Sequence, residues 1–349
     1  MGPIRAFAIV AMVALFASAC TRGSAGSNNA QPLDLYAAAP TLADVRSLLG
    51  DSTWWPGPPS FGVRPLDAAY MPYLERFTVV QRFVHIGTAE TFDVELALWS
   101  TTSSASTQMT NIQAAFGTPV AGPKAGDQVL YYGLRGPGAA PYATTTVVRV
   151  GQIVAAITWT LKDAFPKVAQ LGKIALKVVS RVKDMLAGKL HGSTLASTDS
   201  ALLPPAGLDM TLLGSARIPI EAAVVMIDSA SLESLAQAFH SNGVDDIVFG
   251  DYALNNDTHM EVRASAFKFS TSQDASTWLD LVRGTYPLDA GGIAAFYDPS
   301  FGVYYFLFAS GTQVGMLICR STSSAEAASR ACEGPLSRVA PVWKLSLGG

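Results

Sequence analysis

The predicted helices and strands follow one order that occurs twice along the chain, and this repetition limits the possible folds. In each half, apolar periodicity predicts a helix, two strands, a helix, three strands and a final helix. The first strand pair falls at 77–86 and 91–99 in one half, and at 246–253 and 258–269 in the other. Strands joined by short turns pair antiparallel. The pattern predicts an α+β fold of two similar lobes, each an antiparallel sheet packed with helices, and indicates an internal duplication. Residue identity between the halves is slight, so a chance similarity of element order is the alternative.

Two stretches without apolar periodicity set the expected domain boundaries. Residues 21–40 are rich in small and polar residues and predict a flexible tether. Residues 191–215 contain Pro204-Pro205-Ala206-Gly207 and predict a linker. The lobes are therefore expected at 41–190 and 216–349, and a chain of 349 residues exceeds what one hydrophobic core usually serves.

The first twenty residues have the composition of an export signal. Arg5 gives a positive start, residues 6–16 are an unbroken apolar run, and Ala17-Ser18-Ala19-Cys20 ends the stretch with small residues. Residues 1–20 resemble a bacterial lipoprotein signal peptide, whose last cysteine is lipidated. The resemblance implies an acyl (palmitate-type) anchor on Cys20 that holds the mature chain on the extracytoplasmic face of the cell membrane. Ala17-Ser18-Ala19 also fits ordinary secretion, which is the alternative.

Charge and cysteine usage narrow the possible partners. The 24 basic and 27 acidic residues give a net charge of −3, so there is no basic excess to attract nucleic acid. If Cys20 carries lipid, Cys319 and Cys332 remain, and an oxidising compartment favours a disulfide between them over two buried thiols. Neither has a CxxC partner or a nearby histidine, so we expect no metal site, and no motif implies a cofactor.

A second resemblance rests on a turn and a strand in the first half. Gly126-Asp127 precedes one predicted strand, and Val148-Arg149-Val150-Gly151 ends another that turns into the next. This arrangement is similar to the last part of certain actinobacterial envelope lipoproteins and of the extracellular sensor domains of kinases. The first half lacks the paired cysteines of those sensor domains. The resemblance implies the sensing or carrying of a small molecule in the cell envelope.

Aromatic residues are the candidates for ligand binding. They are Trp54, Trp55, Tyr70, Tyr131 and Tyr132. The two indoles lie in a Pro/Gly-rich stretch, 51–73, that predicts irregular structure; they either line an apolar pocket or stack on a sugar, or else cover the end of the core. The adjacent tyrosines fall on a predicted strand and must point to opposite faces, which leaves one in the core and the other available.

The polar residues offer few catalytic arrangements. His85 is predicted near Glu90, and Asp93 alternates with Glu95 on one strand face. A hydrolase would use such carboxylates with His85. The alternative is a solvated strand face with a histidine at the strand end, and we assign no catalytic residue.

The helix predicted over 165–186 carries lysines opposite its apolar stripe. Such a face either touches anionic lipid headgroups or is simply the solvated side. Taken together, the sequence predicts a membrane-anchored lipoprotein that binds or senses a small or apolar ligand or a protein partner without catalysis. A secreted carboxylate-dependent hydrolase and a scaffold or adhesion module without ligand are the alternatives.

Overall fold

The computed structural model describes residues 32–62, 75–88, 90–135, 142–225, 231–254, 257–299, 302–321 and 331–348. The chain divides into two compact units. Unit 1 comprises residues 1–60 and 66–193, and unit 2 comprises residues 61–65 and 194–349. Each unit contains one antiparallel sheet with helices packed on it, which confirms the predicted α+β class.

Unit 1 holds a sheet in the strand order β1-β3-β4-β7-β6-β5. These strands are β1 (Trp54–Pro56), β3 (Glu75–His85), β4 (Thr91–Trp99), β5 (Gln128–Arg135), β6 (Tyr142–Val150) and β7 (Ile153–Leu161). The short strand β2 (Ser60–Gly62) crosses the boundary between the units. The helices are α1 (Pro32–Ala38), α2 (Leu42–Leu49), α3 (Thr102–Phe116) and α4 (Val168–Leu186).

Unit 2 repeats this topology, in the strand order β8-β9-β10-β13-β12-β11. Its strands are β8 (Met210–Pro219), β9 (Asp246–Leu254), β10 (Asp257–Lys268), β11 (Ile293–Asp298), β12 (Val303–Ser310) and β13 (Gln313–Ser321). Its helices are α5 (Ser197–Ser200), α6 (Ile220–Val224), α7 (Leu232–Ser241), α8 (Ser272–Arg283) and α9 (Glu333–Leu347). Strand by strand, β9 corresponds to β3, β10 to β4, and β11 to β5, so the predicted repetition extends to the pairing of the strands.

Threonine side chains cap the first turns of three helices. Thr41 Oγ1 accepts the N–H of Asp44, and the Asp44 carboxylate accepts the N–H of Thr41, so both ends of a capping box are present. Thr101 and Thr271 cap α3 and α8 in the same way with a hydroxyl. These caps are local, so they are readable without knowledge of the fold.

Three segments without apolar periodicity are more regular than predicted. Within the predicted tether, 21–40, residues 32–38 form α1, and its Leu35 and Ala38 are fully buried. The stretch 51–73 contains β1 and β2. The predicted linker, 191–215, contains α5 and the first part of β8. Packing and strand pairing with distant residues impose this order, which the local sequence does not encode.

The Gly126-Asp127 turn ties β5 to the β6–β7 hairpin. The Asp127 carboxylate accepts the N–H of Gly151 at 2.8 Å and a guanidinium N–H of Arg149 at 3.2 Å. Gly126 has φ +59°, and a Cβ there would lie 2.4 Å from the Arg149 carbonyl oxygen. The residues that carry the second sequence resemblance therefore have a structural role within unit 1.

Candidate functional site

Strand β11 is the outer strand of the unit 2 sheet, at the end opposite to β8. A turn follows its outer side: Leu288 forms one antiparallel bridge with Ala294, and the Asp289 N–H donates to the Ile293 carbonyl at 2.9 Å. The Asp289 carboxylate accepts the Ile293 N–H at 2.8 Å. An outer strand offers backbone donors and acceptors to an extended partner, so the surroundings of β11 decide what can bind there.

Three aromatic rings stack on one face of this strand. The Tyr286 ring lies parallel to Phe296, with centroids 4.3 Å apart and an interplanar angle of 4°. Phe296 in turn stacks on Tyr305 of β12 at 5.2 Å. Phe296 is buried, whereas Tyr286 is 43% exposed, so the stack runs from the sheet to the surface. Burial, aided by the charge of Asp298, raises the pKa of Tyr305 to about 12, which keeps its hydroxyl neutral.

A cavity of about 420 Å³ that is open to solvent adjoins the beginning of the same strand. Its lining is mainly apolar and consists of Gly291, Ile293, Ser310, Pro341, Lys344, Leu345 and Gly348. The Lys344 ammonium donates to the carbonyl oxygens of Gly291 and Gly292 at 2.7 and 3.1 Å, which joins the end of α9 to the turn before β11. The volume falls in the range of small-molecule sites, about 300–1,000 Å³.

Large apolar side chains are unusually exposed around β11. Leu281 near the end of α8 is 77% exposed, and Leu345 in the last turn of α9 is 78% exposed. Leu288, in the turn beside β11, is 41% exposed. Ile293 of the cavity and Phe296 of the stack are three residues apart on the strand, so the cavity and the stack lie on opposite faces of the sheet. We call the surroundings of this edge strand, with Tyr286, Leu288 and the cavity, the β11 site. Its chemistry suits apolar, aromatic or extended peptide groups, since aromatic and aliphatic surfaces anchor such ligands.

The two tryptophans that the sequence singles out lie in unit 1. Trp54 is buried, meets the His85 ring edge-on at 5.3 Å, and accepts two hydrogen bonds from Arg46 at its carbonyl oxygen. Trp55 is partly exposed on β1. Tyr70 lies outside the described residues. Trp54 therefore packs as a core residue and is not placed to receive a ligand from solvent.

Tyr131 and Tyr132 are both buried, so the expectation that one would be available is wrong. The Tyr131 hydroxyl donates to the Pro123 carbonyl at 2.9 Å on one face of β5, and Tyr132 packs against Phe116 of α3 on the other. Burial raises the pKa of both phenols. Both faces of the sheet are covered here, which a single strand cannot reveal. These tyrosines and Trp54 lie at opposite ends of the strand order.

The polar residues of the predicted hydrolase are engaged elsewhere. His85 Nε2 contacts the Asp51 carboxylate at 2.7 Å rather than Glu90, and its Nδ1 faces the Ile86 carbonyl at 3.0 Å. Asp93 accepts two hydrogen bonds from Arg82, at 2.6 and 3.2 Å.

Asp51 is held in its charged form by its neighbours. Hydrogen bonds from the Thr53 hydroxyl and N–H, with a further contribution from His85, lower the pKa of Asp51 to about 2. The Thr53 hydroxyl donates to the Asp51 carboxylate at 2.5 Å and lies 2.8 Å from His85 Nε2, so hydroxyl, carboxylate and imidazole form one hydrogen-bonded cluster.

The predicted disulfide is present in unit 2. Cys319 of β13 and Cys332, just before α9, form a disulfide and are fully buried. Cys20 lies outside the described residues. Within the described ranges, no group of three His, Cys, Asp or Glu residues is arranged to hold a metal ion.

The residues of the β11 site were missed by the sequence analysis. The available signal was the occurrence of Tyr286 and Leu288 in a loop directly after the Gly284 helix stop, where polar residues are usual. Their contacts with Phe296 and Ala294 of β11 depend on the tertiary structure.

Comparison with known proteins assigns this chain to no family. No protein-family model matches the chain, and no curated protein matches it. Among solved structures, the chain is similar to the extracellular domain of PknH from Mycobacterium tuberculosis, with 14% identity and a TM-score of 0.37. That match covers 46% of this chain and 100% of the other. In the described part of the chain, no helix has the length and apolar character needed to cross a membrane.

Proposed function

We propose that this chain is an exported binding protein, anchored by lipid on Cys20 to the extracytoplasmic face of the cell membrane. The apolar leader with its terminal cysteine supports export and anchoring. The Cys319–Cys332 disulfide supports export independently, because such bonds persist in oxidising compartments. Secretion without a lipid is the alternative for the anchor.

The binding surface of this proposal is the β11 site, and the aromatic stack is the observation that carries it. The Tyr286 ring lies parallel to Phe296, and 43% of the residue is exposed. Because this contact already fixes the ring, a ligand that packs on it would bind with little loss of side-chain entropy. An apolar or aromatic ligand, or an extended segment of a partner protein, would lie along β11 against this platform. Binding without catalysis agrees with the engagement of Asp93 by Arg82 and of His85 by Asp51.

Native mass spectrometry of residues 21–349, produced with export in a bacterial host, tests a small ligand. We expect a discrete extra mass that leaves on denaturation. Leu288→Ser should lose this mass, whereas Leu212→Ser on β8, at the opposite end of the sheet, should retain it. The two leucines are matched, being 41% and 48% exposed. Equal loss from both variants would contradict the β11 site.

A wild-type chain that carries no extra mass contradicts a tightly held small ligand and leaves a protein partner. A photo-crosslinking amino acid at position 288, with position 212 as the control, then tests that partner in living cells. A protein captured from 288 and absent from 212 supports the site. Identical products from both positions would refute it.

A further inference from the structure

We propose that the outer face of α4 in unit 1 docks on the anionic phospholipid headgroups of the bilayer. We call this surface the lysine face. It consists of exposed residues of α4 and its flanking segments: Lys162, Phe165, Lys167, Lys173, Leu176, Lys183, Leu186 and Lys189. The proposal concerns unit 1 and is independent of the β11 site.

The lysine face is strongly positive in a chain that is negative overall. Residues 162–189 hold seven lysines and arginines and two aspartates, whereas the whole chain has a net charge of −3. Two of the seven turn towards Asp44: Lys177 at 3.0 Å and Arg181 at 3.6 Å. The exposed lysines remain available to an anionic surface, which attracts each with about 1 kcal/mol when it lies near the bilayer.

Exposed apolar residues alternate with these lysines along the sequence. Phe165, Leu176 and Leu186 are 47%, 49% and 37% exposed. Lys173, Leu176 and Lys183 share one stripe of α4, since they are separated by three and seven residues. The opposite side of α4 is buried in the unit 1 core. Lysines with exposed aromatic and leucine side chains are typical of helices that lie in a membrane interface.

The path of the chain brings α4 close to the proposed anchor. Arg181 donates a hydrogen bond of 2.6 Å to the carbonyl of Ala37, which fixes α1 against α4. Helix α1 begins at Pro32, twelve residues after Cys20. A segment of that length spans at most about 40 Å when extended. A lipid on Cys20 would therefore keep the lysine face within reach of the bilayer, which favours phospholipid over an acidic protein as the occupant.

Vesicle partitioning of residues 21–349, which carry no acyl chain, tests the charge requirement. We expect binding to vesicles of phosphatidylglycerol and phosphatidylcholine, none to pure phosphatidylcholine, and weaker binding at high salt. Lys173→Glu should lower the partition coefficient by at least fivefold, because the loss of one lysine near the bilayer alone lowers it by about that factor. Lys268→Glu, an equally exposed lysine in unit 2, should leave it unchanged.

A fluorescent label tests direct contact. Because Cys319 and Cys332 are bonded, Leu176→Cys supplies the one free thiol of residues 21–349. Its bimane label should shift to the blue with anionic vesicles, whereas a label on Ser276→Cys in α8 should not. Binding to neutral vesicles, equal loss with Lys268→Glu, or no shift at position 176 would each overturn the proposal. A shift at 176 with poly-glutamate but not with vesicles would assign the face to an acidic protein instead.

Discussion

The guanidinium of Arg263 on β10 donates two hydrogen bonds to the carboxylate of Asp251 on β9, at 2.7 and 2.8 Å. Unit 1 has the same bidentate pair between Arg82 on β3 and Asp93 on β4, with the charges exchanged between the two strands. Both pairs join the second and third strands in the strand order of their sheet. The two units therefore have an Arg–Asp ion pair at the same place in the sheet, but the arginine and the aspartate have changed strands.

This correspondence extends across five strands of each sheet. In strand order, the cross-strand row of unit 1 is Arg82, Asp93, Thr158, Thr145 and Tyr132. The row of unit 2 is Asp251, Arg263, Ile318, Tyr305 and Phe296. Each row ends in an aromatic residue, packed against Phe116 in unit 1 and Tyr286 in unit 2. The matching register favours an internal duplication over a chance similarity of element order.

Exchanging the charges in unit 1 tests this correspondence. Arg82→Asp alone places a second acid opposite the buried carboxylate of Asp93 and should cost unit 1 about 3 kcal/mol of unfolding free energy. Asp93→Arg alone places a second base opposite Arg82, whose side chain is 44% exposed, and should cost less. The double variant should recover more than half of the summed loss, because unit 2 already has its acid, Asp251, on β9, the strand that corresponds to β3. Urea unfolding in a double-mutant cycle measures the recovery. Additive losses would contradict interchangeable positions. The exposed pair Arg217–Asp246 is the control, with an expected effect below about 1 kcal/mol.

The disulfide should stabilise unit 2 alone. It closes a short loop, with a sequence separation of 13, so replacing Cys319 and Cys332 together by alanine should lower the free energy of unfolding of unit 2 by about 3 kcal/mol. In calorimetry, the transition of unit 2 should move to lower temperature while that of unit 1 stays in place. A shift of both transitions, or of neither, would be evidence against this assignment.

Replacing Gly126 should destabilise unit 1 for two reasons, its left-handed backbone conformation and the lack of space for a Cβ. Gly126→Ala puts a Cβ 2.4 Å from the Arg149 carbonyl oxygen at φ +59°, whereas Gly87→Ala at φ +77° meets nothing within 4 Å. We expect Gly87→Ala to cost about 1 kcal/mol for the left-handed conformation, and Gly126→Ala to cost about 3 kcal/mol because overpacking adds to it. Chemical denaturation of the two variants gives the comparison. Equal losses would show that the close approach of Arg149 relaxes freely.

The stability of unit 2 should depend on pH through His240. Hydrogen bonds to Glu221 at 2.9 Å and Asp245 at 2.8 Å raise the pKa of His240 above its ordinary value near 6.5. The stabilisation is then fully present below the unfolded pKa and is lost as the pH rises through the folded pKa. His240→Gln should therefore reduce the urea midpoint of unit 2 more at pH 6 than at pH 9. His191→Gln in unit 1 serves as the control, and a difference that does not vary with pH would exclude this linkage.

The periodic elements were predictable because their signals are local. Strand β4 occupies the predicted residues 91–99, and α3 ends at Phe116, directly before Gly117. Alternation along a strand and a glycine after a helix need no distant partner to be recognised. The same holds for the disulfide, because only Cys319 and Cys332 remained once Cys20 was set aside.

Tertiary structure decided which side chains are accessible and which residues meet. β1 and β8 became strands because β3 and β9 pair with them, and Tyr131 and Tyr132 are both buried because separate segments cover the two faces of β5. The β11 site joins the ends of α8 and α9 to an edge strand. The sequence by itself determined the periodic elements, the repeated order and the cysteine pair. Contacts, burial and ion-pair partners required the fold, because they depend on long-range pairing that no local pattern encodes.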